Sequence, residues 1–178
     1  EYHALEKGLT MPDIRYGFAK HRVEGLVQLC EDFADNYDIK HSQFRNALGV
    51  LLEYLEVHKK NGIEIGESIT KEILALNNKY PDIISTTQIV KNSKNYFENY
   101  NADFKTFSES RHSLRNFSNE DIDIELLKKA IDLSKTTPSV CNRQSVFCYV
   151  YTDKEEIAKI LKIQGGNRGF GHLTNKLI

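Results

Sequence analysis

Apolar residues in the first half of the chain recur three and four positions apart, which places them on one face of a helix. This spacing holds across residues 16–100, and no segment there alternates with a period of two. It predicts four amphipathic helices, with apolar stripes over 23–37, 44–55, 69–76 and 89–97.

Helix-ending residues follow two of these stripes. Asn61-Gly62 follows the second stripe, where glycine can take the left-handed conformation that closes a helix, and Pro81 stops the third. Four helices with short connections predict a bundle-like helical module over residues 1–100.

The pattern changes in residues 101–178. Asp123 is a plausible N-cap for a helix with Ile124, Leu127 and Ile131 on one face. The run 145–151 is continuously apolar and rich in aromatic and β-branched residues, which predicts a strand buried on both faces.

A further helix and strand are predicted after this run. Asp153 and Glu156 have the spacing of a capping box, and Gly165-Gly166 would end the helix that they begin. Residues 176–178 would enter a second strand. Two strands with unpaired edges cannot close a sheet core, so we expect the start of an α+β domain in an apparently truncated chain.

Charge and composition limit the classes of binding partner and cysteine chemistry to be expected. The 178 residues carry 24 Lys+Arg against 25 Asp+Glu, so the net charge of -1 gives no global reason to expect nucleic acid or an anionic membrane as a partner. Without a long apolar run or a signal peptide, we expect a soluble, cytoplasmic protein. Three scattered cysteines favour reduced thiols over a disulfide framework or a zinc site.

Three segments carry candidate chemistry, of which the glycine-rich 165–170, taken alone, indicates only a helix C-cap and a turn. Residues 110–117 concentrate two guanidinium groups, an imidazole and hydroxyls, which suits a phosphate, although a solvated basic turn would have the same composition. Residues 137–144 join a predicted helix to the predicted strand, and their Ser, Asn and Gln side chains suit the edge of a heteroaromatic ring. Ordinary turn chemistry would explain this loop equally well.

These segments together resemble the amino-terminal half of the FMN-dependent nitroreductase family. The resemblance rests on the order Arg-His-Ser-x-Arg-x-Phe from Arg111, Pro-Ser-x-x-Asn-x-Gln from Pro138, and Asn-Arg from Asn167, and it covers about 104–178. It implies an FMN-binding α+β sandwich preceded by a helical extension.

The resemblance also implies the roles of individual residues. It places Arg111, His112, Ser113 and Arg115 at the FMN phosphate and ribityl chain, with Arg115 also near the ring. It places Pro138, Ser139, Asn142 and Gln144 in a loop that approaches the flavin from the partner subunit of a homodimer, and Asn167 against the pyrimidine edge.

The implied activity is electron transfer from NAD(P)H through FMN to a small-molecule acceptor such as a nitroaromatic or quinone. Because the cofactor does the redox chemistry, no side chain is assigned as an acid, base or nucleophile. The resemblance covers only the first half of the flavin domain, so this chain by itself is expected not to hold FMN tightly. Two alternatives stay open, namely a non-enzymatic flavin or nucleotide sensor and a helical interaction protein.

Other reactive residues are interpreted as structural or exposed. His3 and Glu6 lie one helical turn apart but have no third ligand nearby, so no metal site is predicted. Cys141 could be a nucleophile with His112 or His172 as its base, but the flavin-loop interpretation explains the same position with fewer assumptions.

Overall fold

The computed structural model describes residues 2–86 and 88–178, which form eight α-helices and two short 3-10 turns. The helices are α1 (Tyr2–Leu9), α2 (Lys20–Asn36), α3 (Ser42–Lys60), α4 (Glu67–Lys79), α5 (Ser93–Tyr96), α6 (Phe104–Ser110), α7 (Ile124–Ser134) and α8 (Lys154–Gln164). The 3-10 turns are Val140–Asn142 and Gly171–Leu173. The chain separates into two compact units, 1–113 and 114–178. The division at residue 100 proposed from the sequence stays a prediction.

Helix α3 is the centre of the first unit, because α1, α2 and α4 all pack against it. Its buried apolar side chains are Phe44, Ala47, Leu48, Val50, Leu51, Leu52 and Tyr54. The other helices add their own apolar faces, so the three stripes predicted over 23–37, 44–55 and 69–76 are confirmed as the core-facing sides of α2, α3 and α4, except at Tyr37, which follows α2 and is 67% exposed. Gly62, with φ 70°, follows the end of α3, and α4 ends at Lys79, before Pro81.

Two side chains of α3 hold the loop that precedes α2. The Gly17 N–H donates to Nε2 of His58 at 2.8 Å, and Tyr54 Oη donates to the Phe18 carbonyl at 2.8 Å. Because Nε2 accepts, the proton of a neutral ring is on Nδ1, which lies 2.7 Å from the Tyr54 carbonyl. Burial lowers the pKa of His58, and the bond to that carbonyl opposes the shift in part.

After Pro81, residues 84–86 and 88 lie against α3. The Thr86 N–H donates to the Gly49 carbonyl at 3.1 Å. Ser85 Oγ and the Gln88 N–H donate to the buried carboxylate of Glu53, at 2.7 and 3.3 Å. A Cβ added at Gly49 would lie 3.0 Å from the Ile84 carbonyl oxygen, so glycine permits this close approach.

The fourth predicted helix, over 89–97, is wrong for most of its length. Only Ser93–Tyr96 is helical, and Asn92 caps it by accepting from the Asn95 N–H at 2.9 Å. Ile89 and Val90 are exposed and belong to no helix. Ser85, Thr86 and Gln88 just before them are bonded to α3, so tertiary contacts override the local helical spacing.

The second unit confirms both of its predicted helices. Asp123 caps α7 by accepting from the Glu125 N–H at 3.0 Å, and Asp153 caps α8 by accepting from two N–H groups of its first turn. Gly165, with φ 72°, ends α8.

The buried strand predicted over 145–151 is wrong. Within the described residues only Tyr151 pairs, by an antiparallel bridge to Leu177 with N–H···O distances of 2.8 and 3.1 Å. Val146 and Phe147 are 84% and 80% exposed. A strand needs neighbours for its N–H and C=O groups, and the second predicted strand, 176–178, supplies one paired residue. The described chain is therefore helical with no sheet, and the expected α+β architecture is not observed.

The second unit also buries little apolar surface. Ile157 of α8 is the one buried hydrophobic side chain among its described residues, and α7 buries none. No helix in the ranges 2–86 and 88–178 combines the length and apolar character that a membrane crossing requires.

Candidate functional site

The basic turn at 111–113 begins where α6 ends. Asp103 starts this helix by accepting from the N–H groups of Lys105 and Thr106, at 3.1 and 3.2 Å. The Thr106 hydroxyl, which donates to Asp103 Oδ2 at 2.7 Å, contributes most to lowering the pKa of Asp103, and the two N–H bonds add to it. The helix ends at Ser110, and Arg111 continues in an extended conformation.

Tyr96 fixes the backbone of this turn. Its hydroxyl donates to the His112 carbonyl at 3.0 Å and lies 3.4 Å from the His112 N–H, which can donate to it. Tyr96 falls within the predicted helical stripe over 89–97, which would place it on a core face, and no sequence signal links it to a residue sixteen positions away.

The side chains of the turn are available to a ligand. Arg111, His112 and Ser113 are exposed, and in the described part of the chain neither Arg111 nor Ser113 has a side-chain hydrogen bond or ion pair. Arg115 is half-buried. A guanidinium group and a hydroxyl so close in sequence are suitable donors for a phosphate.

The 138–144 loop is closed by its own side chains. Ser139 Oγ accepts from the Gln144 N–H at 3.0 Å. The Gln144 amide donates to Asn142 Oδ1 at 3.0 Å and to the Thr137 carbonyl at 3.2 Å. The structure therefore brings Ser139, Asn142 and Gln144 together, with Pro138 exposed at the start of the loop.

Three residues of this loop have left-handed backbone conformations. The φ angles are 53° at Cys141, 50° at Asn142 and 47° at Gln144. Such conformations are uncommon for residues with a Cβ, cost about 1 kcal/mol each and concentrate at binding sites. Val140 beside them is 81% exposed, so burial of apolar surface does not offset this cost.

Asn167 lies just after the carboxyl end of α8. Its Nδ2 donates to the Leu161 carbonyl and, at 3.0 Å, to Gln164 Oε1. Its backbone carbonyl accepts from the Gly171 N–H at 2.8 Å. The side chain therefore closes the carboxyl end of α8, a role that its neighbouring glycines could have signalled.

The predicted site residues are divided between the two units. Arg111, His112 and Ser113 belong to the first unit, and Arg115 and the remaining residues belong to the second. A polar cavity of about 400 Å³ in the second unit, between Asn119 and the start of α8, is lined by none of them.

Comparison with known families places the candidate segments in one context. Residues 109–166 match the model of the Nitroreductase family. The match covers about a third of the chain, is preceded by the helical region, includes both the basic turn and the 138–144 loop, and ends one residue before Asn167. The resemblance inferred from the sequence is thereby confirmed for this part of the chain. No curated protein and no solved structure has a significant match to the chain.

Proposed function

We propose that the protein is an FMN-dependent oxidoreductase of nitroreductase type that takes electrons from NAD(P)H and gives them to an unsaturated acceptor such as a nitroaromatic or a quinone. The observation that carries the proposal is the family match over 109–166, which contains both an exposed set of phosphate donors and a left-handed polar loop.

The donors of the basic turn fit the phosphate of FMN. Arg111 offers a planar guanidinium fork and Ser113 a hydroxyl, and both are exposed. Tyr96 holds the backbone of His112 between them, so fewer conformations are lost when a phosphate binds. When bound, FMN supplies the redox chemistry, accepting two electrons and passing them on.

The polar side chains of the second unit fit the edge of the flavin ring. Asn142 Oδ1 already accepts from Gln144, which orients the Asn142 amide nitrogen as a donor. Asn167 has the opposite character, because its amide nitrogen is bound to Leu161 and Gln164 and its Oδ1 remains an acceptor. A donor and an acceptor match the carbonyl and N–H groups of a pyrimidine edge.

We also propose a homodimer in which the 138–144 loop approaches the flavin of the other subunit. Apolar side chains on and after the loop support association, because Val140, Val146 and Phe147 are each at least 80% exposed. The role of the residues is binding and orientation, so Arg115 and Pro138 would shape the site without exchanging protons.

The test is a visible absorption spectrum of the purified full-length protein, followed by NAD(P)H oxidation with a quinone or nitroaromatic acceptor. We expect bound flavin and acceptor-dependent turnover. Bound flavin without turnover of either reductant would favour the non-enzymatic sensor. A colourless protein that does not take up added FMN would refute the assignment.

The matched variants separate the phosphate donors from surface charge in general. Arg111→Ala with Ser113→Ala should remove FMN and leave the fold intact, because both side chains are exposed. The control is Lys105→Ala with Ser108→Ala, which likewise removes one positive charge and one hydroxyl, from exposed positions of α6. It should retain FMN.

A further inference from the structure

The first unit contains a cavity that the proposed flavin site does not use. It has a volume of about 330 Å³ and lies between the loop before α2, the middle of α3 and the start of α4. Ligand pockets in proteins begin at about 300 Å³, so the cavity has room for a small molecule.

The floor of the cavity is apolar. Val23, Ile65 and Ile69 line it and are buried, together with the ring of Tyr54. The Tyr54 hydroxyl is already bonded to the Phe18 carbonyl, so it is not available as a donor to a ligand. A hydrocarbon group is therefore the part of a ligand that this floor favours.

Two opposite charges line the same cavity without satisfying each other. Lys20 and Glu64 are exposed, and neither has an ion pair or a side-chain hydrogen bond to any residue that the structure describes. Lys71, by contrast, pairs with Glu67 on its own helix at 2.5 Å. Lys20 and Glu64 are therefore free to meet the two charges of a ligand.

The backbone leaves the cavity open beside Lys20. Gly17 and Gly66 both line it, with φ 75° and 108°, conformations that residues with a Cβ rarely adopt. A Cβ at Gly66 would lie 3.9 Å from Lys20 Nζ, which places the ammonium group near the start of α4. A ligand carboxylate at Lys20 would thus reach the cavity without a side chain in its path.

We propose that this cavity binds a small zwitterion with an apolar body, of which a free apolar α-amino acid is the simplest example. The carboxylate would bind Lys20, the ammonium group would bind Glu64, and the hydrocarbon side chain would pack on Val23, Ile65 and Ile69. This site is independent of flavin binding, so either proposal can fail without the other.

The test is binding of L-leucine and L-phenylalanine to the full-length protein, by calorimetry and by the amide NMR signals of Gly17 and Gly66. We expect saturable binding with a Kd of about 1 mM or tighter, with both glycine signals shifted. Glycine lacks the hydrocarbon, N-acetyl-L-leucine lacks the ammonium group and L-leucinamide lacks the carboxylate. Each should bind about tenfold to a hundredfold more weakly than L-leucine, since each loses the apolar contact or one charged contact.

Variants assign the two charged contacts. Lys20→Met and Glu64→Gln should each weaken L-leucine binding by about tenfold to a hundredfold, because each removes one charged contact. Both variants should fold because the two side chains are exposed. Lys60→Met and Glu56→Gln change the same residue types at exposed positions of α3 outside the cavity and should bind as the wild type does. Three results would overturn the proposal. They are amide signals of Gly17 and Gly66 that do not move at millimolar L-leucine, analogues that bind as tightly as L-leucine, and an unchanged affinity for L-leucine in both Lys20→Met and Glu64→Gln.

Discussion

The buried histidine of α3 makes the first unit sensitive to acid. His58 is 1% exposed, and its Nε2 accepts from the Gly17 N–H. A protonated ring would carry a hydrogen on Nε2 and direct it at that N–H group. The rings packed around His58 belong to Tyr16, Phe18 and Tyr54, and none of these side chains is negatively charged near neutral pH.

The magnitude follows from the difference in protonation between the folded and unfolded chains. Burial lowers the pKa of His58 below the ordinary value of 6.5, so the unfolded chain binds more protons as the pH falls. The contribution of the neutral ring is complete well above pH 6.5 and is lost as the pH falls from there through the lower pKa of the folded state. If the His58 ring stays neutral in the folded chain, lowering the pH from about 7.5 to about 5.5 reduces the free energy of unfolding by at most about 1.4 kcal/mol.

The assay is urea unfolding at both pH values, followed by far-ultraviolet circular dichroism because the chain has no Trp. His58→Gln keeps an acceptor for Gly17 but cannot titrate, so its unfolding free energy should change less with pH than that of the wild type. His21→Gln, at an exposed position of α2, should retain the wild-type dependence. If His58→Gln loses as much stability on acidification as the wild type, the reasoning fails.

Two further predictions concern packing and thiol reactivity. Gly49→Ala should destabilise the protein by about 1–3 kcal/mol in urea unfolding, because the added Cβ would press on residues 84–86. Gly25→Ala should stabilise it by about 0.5–1 kcal/mol, because a Cβ there meets nothing within 4 Å. Equal effects of the two substitutions would contradict this packing. Burial, with a smaller effect of the nearby Glu31 carboxylate, raises the pKa of Cys30 to about 12. A disulfide reagent at neutral pH should therefore modify the exposed Cys141 and Cys148 at once and Cys30 only on unfolding. Rapid reaction of all three thiols in the folded protein would refute this prediction.

Helix periodicity predicted the part of the fold in which local pattern and packing agree. The stripes of α2, α3 and α4 are each long enough to present a full apolar face, and those of α2 and α4 pack against α3. The N-caps Asp123 and Asp153 were also readable, because a carboxylate that accepts from the following N–H groups acts locally. The short helix α1 was not predicted, although Leu5 and Leu9 join the core.

The errors came from contacts between residues distant in sequence. Nothing in the spacing of 89–97 shows that Glu53 binds the segment just before it. The apolar run at 145–151 has strand composition, but a strand forms only where neighbours accept and donate its hydrogen bonds. Among the described residues, Leu177 alone does so.

The candidate site was predictable in residue types and order but not in its internal bonds. The motifs from Arg111 and Pro138 fall inside the family match. The mutual bonds of Ser139, Asn142 and Gln144, and the use of Asn167 to end α8, depend on side-chain geometry that spacing does not encode. The roles assigned to these residues at a flavin stay predictions.

The most direct test of the central claim compares the binding of FMN and riboflavin to the full-length protein, since riboflavin lacks the phosphate. If Arg111 and Ser113 hold that phosphate, FMN should bind at least about tenfold more tightly, and the Arg111→Ala and Ser113→Ala double variant should bring the two affinities close together. Equal affinities in the wild type, or an unchanged preference in the double variant, would contradict the account.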